Sequence, residues 1–255
     1  MNTVPVVIPA YNEGATIRDV VSRAMQQTTT VIVVDDGSVD DTMAQLQGLD
    51  VVLLHNEANL GKAASLWRGM RHALSMGATA AITLDGDGQH RPEDIPRLLG
   101  AAQAFPGQIV IASRLRKQEN APPLRLFANR FANFWISWAA GYFIADSQSG
   151  FRLYPAEVLR SVNVKTDREH SFVFESEILI DAAWKQHRSI AVPIESLYPK
   201  MARHSHYRPA ADTIAIVQMV AWRLLSRGLY PIGLLRVLHN LVQNRLKALP
   251  GPPLP

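Results

Sequence analysis

The sequence predicts an α/β fold: a mainly parallel sheet flanked by helices, with amphipathic helices in the C-terminal half. Three observations predict it. Short apolar runs of strand length alternate with helix-period segments through residues 1–110. Conspicuous polar residues stand where three of those runs end, which is where ligands meet a parallel sheet. The second half of the chain then changes character and becomes aromatic and basic.

The elements follow in order. Val6–Ile8 reads as a strand, and Ala15–Gln27 as a helix with Ile17, Val20, Val21 and Ala24 on one face. Val31–Val34 is a strand and Asp41–Leu49 a short helix that Asp41 caps. Val51–Leu54 is a strand; Lys62–Met76 is a helix that aligns Leu66, Met70, Ala73 and Leu74. Ala80–Leu84 is a strand, and Pro92–Ala104 a helix with proline in its first turn. Ile109–Ala112 is the fifth strand. Repeated βα units of this kind build a parallel sheet with helices on both faces.

Pro122–Ile144 departs from that pattern. Phe127, Phe131, Phe134, Trp135, Trp138, Tyr142 and Phe143 make it aromatic, and Arg125 and Arg130 interrupt it. It reads as an amphipathic helix that could rest on a lipid interface, or as a core or dimer helix. A helix near Glu175–Gln186 and a strand at Ser189–Val192 follow. Thr213–Leu246 is helical and apolar, cut by Arg223, Arg227, Pro231 and Arg236. It is too broken to span a bilayer but able to lie on one. Residues 250–255 read as a disordered tail.

Bulk composition bounds the function. The chain has 255 residues, no cysteine and a net charge of +4. Disulfides and thiolate metal sites are excluded, which fits a reducing compartment. The first apolar stretch is short and lacks a basic flank, so no signal peptide is expected. No segment is long and apolar enough for a transmembrane helix. Residues 1–110 carry 7 Lys+Arg against 12 Asp+Glu, and residues 111–255 carry 19 against 10. An acidic first half suits a metal; a basic second half suits phosphates or an anionic membrane surface.

The candidate chemistry lies at the three strand ends. Ile8 runs into Pro9-Ala10-Tyr11-Asn12-Glu13, Val34 into Asp35-Asp36-Gly37-Ser38, and Leu84 into Asp85-Gly86-Asp87-Gly88-Gln89-His90. An Asp-x-Asp pair arises by chance roughly 0.7 times in a chain of this composition. Its position after a buried strand, beside two other polar strand ends, is what gives it weight. Two carboxylates so close repel each other unless a cation joins them, and a divalent cation there would also hold a diphosphate. Asp36 is placed to accept hydrogen bonds from a nucleobase or ribose.

These segments, with Asp40, Thr42 and Asn59-Leu60-Gly61-Lys62, resemble the family 2 glycosyltransferases, which have the GT-A, Rossmann-like fold. Asp146-Ser147-Gln148-Ser149-Gly150-Phe151-Arg152 is similar to a segment of the dolichyl- and polyprenyl-phosphate sugar transferases. The resemblance covers roughly residues 4–210. It implies one glycosyltransferase domain over 1–210, with a nucleotide-sugar half (1–112) and an acceptor half (113–210), followed by C-terminal amphipathic helices over 211–249. It places Pro9, Tyr11, Glu13, Asp36, Lys62 and Asp85 on the nucleotide, and Asp85, Asp87 and Gln89 on Mg²⁺ or Mn²⁺. Asp87, Arg114 and Glu175 take catalytic roles. Arg125, Asn129, Arg152 and Arg203 fall on the acceptor side. Two departures stand out: Ser147-Gln148 where that branch usually has Pro-Thr, and Arg208 near the place of its usual lysine.

The resemblance implies an inverting transfer of a sugar from a nucleoside diphosphate to a membrane lipid acceptor, most simply a polyprenyl phosphate. The enzyme would sit peripherally on the cytoplasmic membrane face, with no nucleic-acid partner. An ionised phosphate acceptor needs no base. A hydroxyl acceptor of a lipid-like compound or secondary metabolite would need one, and Glu175 or Glu177 is the natural candidate. Two other readings are a non-catalytic nucleotide- or membrane-binding module and a nucleotidyltransferase releasing pyrophosphate.

Overall fold

The computed structural model describes residues 3–113, 123–166, 173–195 and 209–248, with side chains for all but 123–129, 209–215 and 242–248. The first half runs β1 (Val6–Ala10), α1 (Ile17–Met25), β2 (Val31–Asp35), α2 (Thr42–Gln45), β3 (Val52–His55), α3 (Lys62–Ser75) and β4 (Ala80–Thr83). A single 3-10 turn at Pro92–Asp94 leads into α4 (Ile95–Ala104) and β5 (Ile109–Ser113). The second half contains α5 (Pro123–Ala140), β6 (Arg152–Pro155), α6 (Ala156–Ser161), α7 (Phe174–Trp184), β7 (Ser189–Pro193), α8 (Pro209–Leu225) and α9 (Pro231–Ala248).

The strands form one sheet in the order β3-β2-β1-β4-β6-β5-β7. β1 pairs in parallel with β2 and β4, β2 with β3, and β5 with β7. Among the described residues only β6 is reversed, antiparallel to both β4 and β5. The carboxyl ends of β1, β2 and β4 therefore share one edge, and the amino end of β6 joins them.

Strand alternation divides the core between two faces. Val7, Ile32, Val34, Ala81 and Ile111 face Leu66 and Met70 of α3, Ile136 of α5 and Ile178 of α7. Val6, Ile8, Val33, Ile82 and Val110 face Ile17 and Val20 of α1 and Leu98 of α4. The central strands are buried on both sides, which is why they read as unbroken apolar runs. β3, at an edge, alternates between half-buried and exposed positions.

β6 and α6 escaped the sequence reading. A strand that opens on arginine and closes on proline lacks the apolar run that marks a buried strand, yet Arg152, Leu153 and Tyr154 are all buried. Asp41 also differs from expectation. It stands at the N-cap of α2, but its carboxylate takes the Gln45 amide (2.9 Å), while Asp40 takes the Thr42 backbone N–H (3.0 Å). Asp40 also accepts from Gly14 N–H (3.1 Å), so it ties the β1 loop to the β2 loop.

α5 is a core helix more than a surface one. Ile136, Ser137 and Ala139 are buried, and α7, α8 and α9 pack around it. Trp184 of α7 donates to Ala139 O (2.9 Å), and Trp138 donates to Leu229 O (3.0 Å). Phe131 is left exposed on its flank. The expected tail at 250–255 lies outside the described residues. Among the described residues, no helix is long and apolar enough to cross a membrane.

Candidate active site

The three polar strand ends meet through the backbone. Asn12, held at φ +55°, donates its N–H to Ser38 Oγ (2.9 Å), and its side-chain oxygen accepts from Val39 N–H (2.8 Å). Glu13 N–H donates to Thr42 Oγ1 (2.7 Å). Thr16 Oγ1 donates to Gly86 O (2.7 Å), which joins the β1 loop to the segment after β4. Pro9 and Tyr11 lie on that same exit, Pro9 being paired with Val34 across the sheet.

Asp36 turns inward. One oxygen accepts from Asn56 Nδ2 (2.8 Å) and Leu60 N–H (2.9 Å), and the other from Gly61 N–H (2.9 Å), with 3 % of the residue exposed. The expected contact with base or ribose thus meets a carboxylate already engaged. Its observed work is to pin the turn that launches Lys62 at the first position of α3. Gly37 allows this turn: its φ is +73°, and an added Cβ would lie 2.8 Å from the Ala58 carbonyl carbon. The neighbouring Asp35 is fully buried and meets His55 Nδ1 at 2.7 Å.

Lys62 joins the two halves of the site. Its Nζ lies 2.7 Å from Asp85 Oδ1 and 3.0 Å from Glu175 Oε1. Glu175 sits in the first turn of α7, 13 % exposed, and Lys62 is 37 % exposed at the mouth. Burial works against the ammonium, but the Asp85 and Glu175 carboxylates outweigh it and hold the Lys62 pKa well above its ordinary value. Gly150 closes over this pair: a Cβ there would stand 2.7 Å from Asp85 Oδ2 and 3.0 Å from Lys62 Nζ. Asp87 is half-buried and accepts from the Gln89 N–H (2.9 Å), which shapes the turn after β4.

Among the described residues, no group of three or more His, Asp or Glu side chains forms a complete metal cage. Asp85 and Asp87 supply two carboxylates, both partly open to solvent. Mg²⁺ and Mn²⁺ are commonly held by one or two carboxylates, with substrate phosphates and water completing the shell. The donor set fits such an ion.

The family model described as glycosyl transferase family 2 matches residues 6–161. The chain belongs to that family. It is a glycosyltransferase with a GT-A fold. It is 30 % identical over 220 residues, 77 % of this chain and 87 % of the relative, to UDP-N-acetylglucosamine–dolichyl-phosphate N-acetylglucosaminyltransferase of Methanococcus voltae. It is 27 % identical over 232 residues, 87 % of this chain and 94 % of the relative, to undecaprenyl-phosphate mannosyltransferase of Micrococcus luteus. A crystal structure of glucosyl-3-phosphoglycerate synthase from Mycobacterium tuberculosis, in complex with Mn²⁺, uridine diphosphate and phosphoglyceric acid, matches with a TM-score of 0.65. That likeness, at 22 % identity, covers 89 % of this chain and 78 % of the other, and it shows the shared fold.

Arg114, expected in a catalytic role, and Arg203, expected on the acceptor side, lie outside the described residues, as do the side chains of Arg125 and Asn129. Arg152, expected on the acceptor side as well, is turned inward. It is 0 % exposed, and its nitrogens are spent on the carbonyls of Ser147, Ser149 and Glu175 and on Tyr154 Oη. Glu177 turns away as well: its Oε1 takes Arg223 of α8 at 2.7 Å, because helical spacing points it away from the Glu175 face. Of the two candidate bases, only Glu175 stands at the Lys62 bridge.

Two residues of the site carried no sequence signal of their own. Asn133 of α5 accepts from both the N–H and the Oγ of Ser147 (2.9 and 2.6 Å) and donates to Ala145 O (2.9 Å). Asn56 supports Asp36 from β3's exit and meets Ser65 Oγ at 2.9 Å. An isolated asparagine in a helix or loop is ordinary, so only the fold identifies them. Gly150 was within reach, since it lies inside the motif that ends at Arg152.

Proposed function

We propose that this glycosyltransferase moves a sugar from a nucleoside-diphosphate donor to a polyprenyl phosphate at a membrane surface, with inversion and with Mg²⁺ or Mn²⁺. The bridge from Asp85 through Lys62 to Glu175 carries the reading. It joins the donor carboxylate to the acceptor half, and it gives Glu175 an ammonium partner that a base would have to exchange for a hydroxyl. A phosphate acceptor is already ionised and needs no such base. The named relatives that act on dolichyl and undecaprenyl phosphate support the same acceptor class.

In this reading Asp85 and Asp87 would hold the cation, with Gln89 beside them. Pro9, Tyr11 and Glu13 line the nucleotide side, and Lys62 presents its ammonium to the diphosphate. When bound, the cation would offset charge growing on the departing diphosphate. Lys62, held protonated, adds a fixed positive charge in the same crevice. An acceptor phosphate oxygen bonds to the anomeric carbon while the bond from that carbon to the diphosphate oxygen breaks on the opposite face. Arg125, Asn129 and Arg203 are proposed for the acceptor side, and Arg114 for a catalytic role. Peripheral seating would bring α8 and α9 to the bilayer.

The test supplies labelled UDP-, GDP- and dTDP-sugars with vesicles containing polyprenyl phosphate. The wild type should transfer one of them, and EDTA should abolish transfer. Asp87→Ala should lower the rate by about a hundredfold or more; full activity of that variant in Mn²⁺ would remove Asp87 from the site. Glu175→Gln separates the acceptors: activity within about tenfold of wild type supports a phosphate, and complete loss supports a hydroxyl with Glu175 as base.

A further inference from the structure

Arg152 is among the largest fully buried side chains in the described structure. Taking a guanidinium out of water costs several kcal/mol unless its donors are met. Here Nε donates to Ser149 O (2.6 Å), Nη2 to Ser147 O (2.8 Å), and Nη1 to both Glu175 O (2.6 Å) and Tyr154 Oη (3.2 Å). All four acceptors are uncharged. A structural cation of this kind is ordinarily paired with a carboxylate, so its place needs a reason.

The acceptors supply it. Ser147 and Ser149 belong to the loop that carries Gly150 onto Asp85 and Lys62. Glu175 belongs to the first turn of α7 and reaches Lys62 from the other side. Strand β6, which holds Arg152, is hydrogen-bonded beside β4, and Thr83 at the end of β4 donates its Oγ1 to Gly150 O (2.7 Å). One planar fork therefore spans the loop, the helix and, through Gly150, the donor carboxylate.

We infer that Arg152 is the positioning residue of the acceptor half, fixing Glu175 and the Ser147–Gly150 loop against the Asp85–Lys62 pair. The assignment rests on the proposed sugar transfer for its kinetic consequence. Its geometry requires arginine: three nitrogens at fixed angles meet three carbonyls of two segments. A lysine, with a point charge on a flexible stem, cannot hold them at one spacing. A displacement of about 1 Å in the segments that orient the bound substrates, even one that starts far from the reacting atoms, is enough to cost about a hundredfold in rate.

The experiment compares wild type, Arg152→Lys and Tyr154→Phe. The readouts are binding of UDP and GDP with Mn²⁺ by calorimetry, kcat and acceptor KM, and hydrogen exchange of peptides covering 146–150 and 174–177. Arg152→Lys should bind nucleotide within about twofold of wild type and lose about a hundredfold in kcat, with the two segments exchanging about tenfold faster. Wild-type kcat with unchanged exchange overturns the inference. So does nucleotide binding that falls in step with kcat, since that is general loss of fold. Should Arg152→Lys not fold, Tyr154→Phe decides: it should lower kcat about threefold or more with nucleotide binding intact, and an unchanged kcat overturns the inference. Should the wild type transfer no sugar to polyprenyl phosphate, the functional reading falls. The Arg152 assignment is then judged by exchange alone, and unchanged protection of both segments refutes it.

Discussion

Lys62 stands between Asp85 and Glu175, two acids 90 residues apart in sequence, and neutralises part of the charge that the strand end gathers. Gly150 closes on that arrangement with no room for a methyl group. The nearer atoms are the carboxylate oxygens and the ammonium nitrogen, so the added carbon would have to displace polar groups on which nucleotide binding is proposed to depend. Gly150→Ala is therefore expected to fold, because the clash involves flexible side-chain ends. Its affinity for UDP or GDP with Mn²⁺, measured by calorimetry, should fall by about tenfold or more. Affinity equal to wild type would mean that Asp85 can shift without consequence. Asp36 teaches a related point: a carboxylate at a strand exit can serve the site by holding the turn beneath Lys62.

The α8–α9 pair is the element with the most unexplained surface. Trp222 is 71 % exposed, and Leu225, Leu229, Ile232 and Leu235 are more than half exposed beside it. The inner face is firmly held. Arg223 pairs with Glu177 (2.7 Å) and lies 4.9 Å from the Trp184 ring, and Arg227 lies 3.9 Å from the same ring. Residues 209–248 carry five Lys+Arg and one Asp, a balance that suits an anionic lipid surface. Trp222→Ser with Leu235→Ser should weaken binding to anionic vesicles by about tenfold, through lost apolar burial. Sedimentation with vesicles checks this. Unchanged binding would show that the face serves something other than lipid. Hydrolysis of the nucleotide sugar in solution should not change, since both side chains are more than half exposed to solvent.

At the scale of the whole molecule, the helices that share one face of the sheet, α1 and α4, are also tied to each other by the Arg23–Glu93 pair. It joins α1 to the turn before α4 by two bonds, 2.8 and 2.7 Å. The hydrogen-bonded Arg23 guanidinium holds the Glu93 carboxyl down at about 2, from an ordinary value of 4.5. A depressed acid stabilises the fold fully above its unfolded value and loses that contribution as pH falls through its folded value. Glu93→Gln should therefore cost roughly 0.5–1 kcal/mol at pH 7, a modest figure because the pair is partly solvated. The difference should shrink steadily between pH 4.5 and about 2. Urea unfolding of both proteins across that range measures it. A gap that stays constant with pH would assign the loss to packing instead of charge.

Alternation of apolar runs and helical periods was enough to determine the α/β class, six of the seven strands among the described residues and the shared edge where Asp85 and Asp87 emerge. Those features depend on local burial, and local burial is written in residue order. The motifs likewise named Lys62 and Glu175, but not that they touch. Tertiary structure alone decided that Asp36 and Arg152 face inward, that Glu177 serves α8, and that β6 runs against its neighbours. A buried arginine looks like a surface residue in sequence, because its cost is offset only by carbonyls that the folded chain brings to it from Ser147, Ser149 and Glu175.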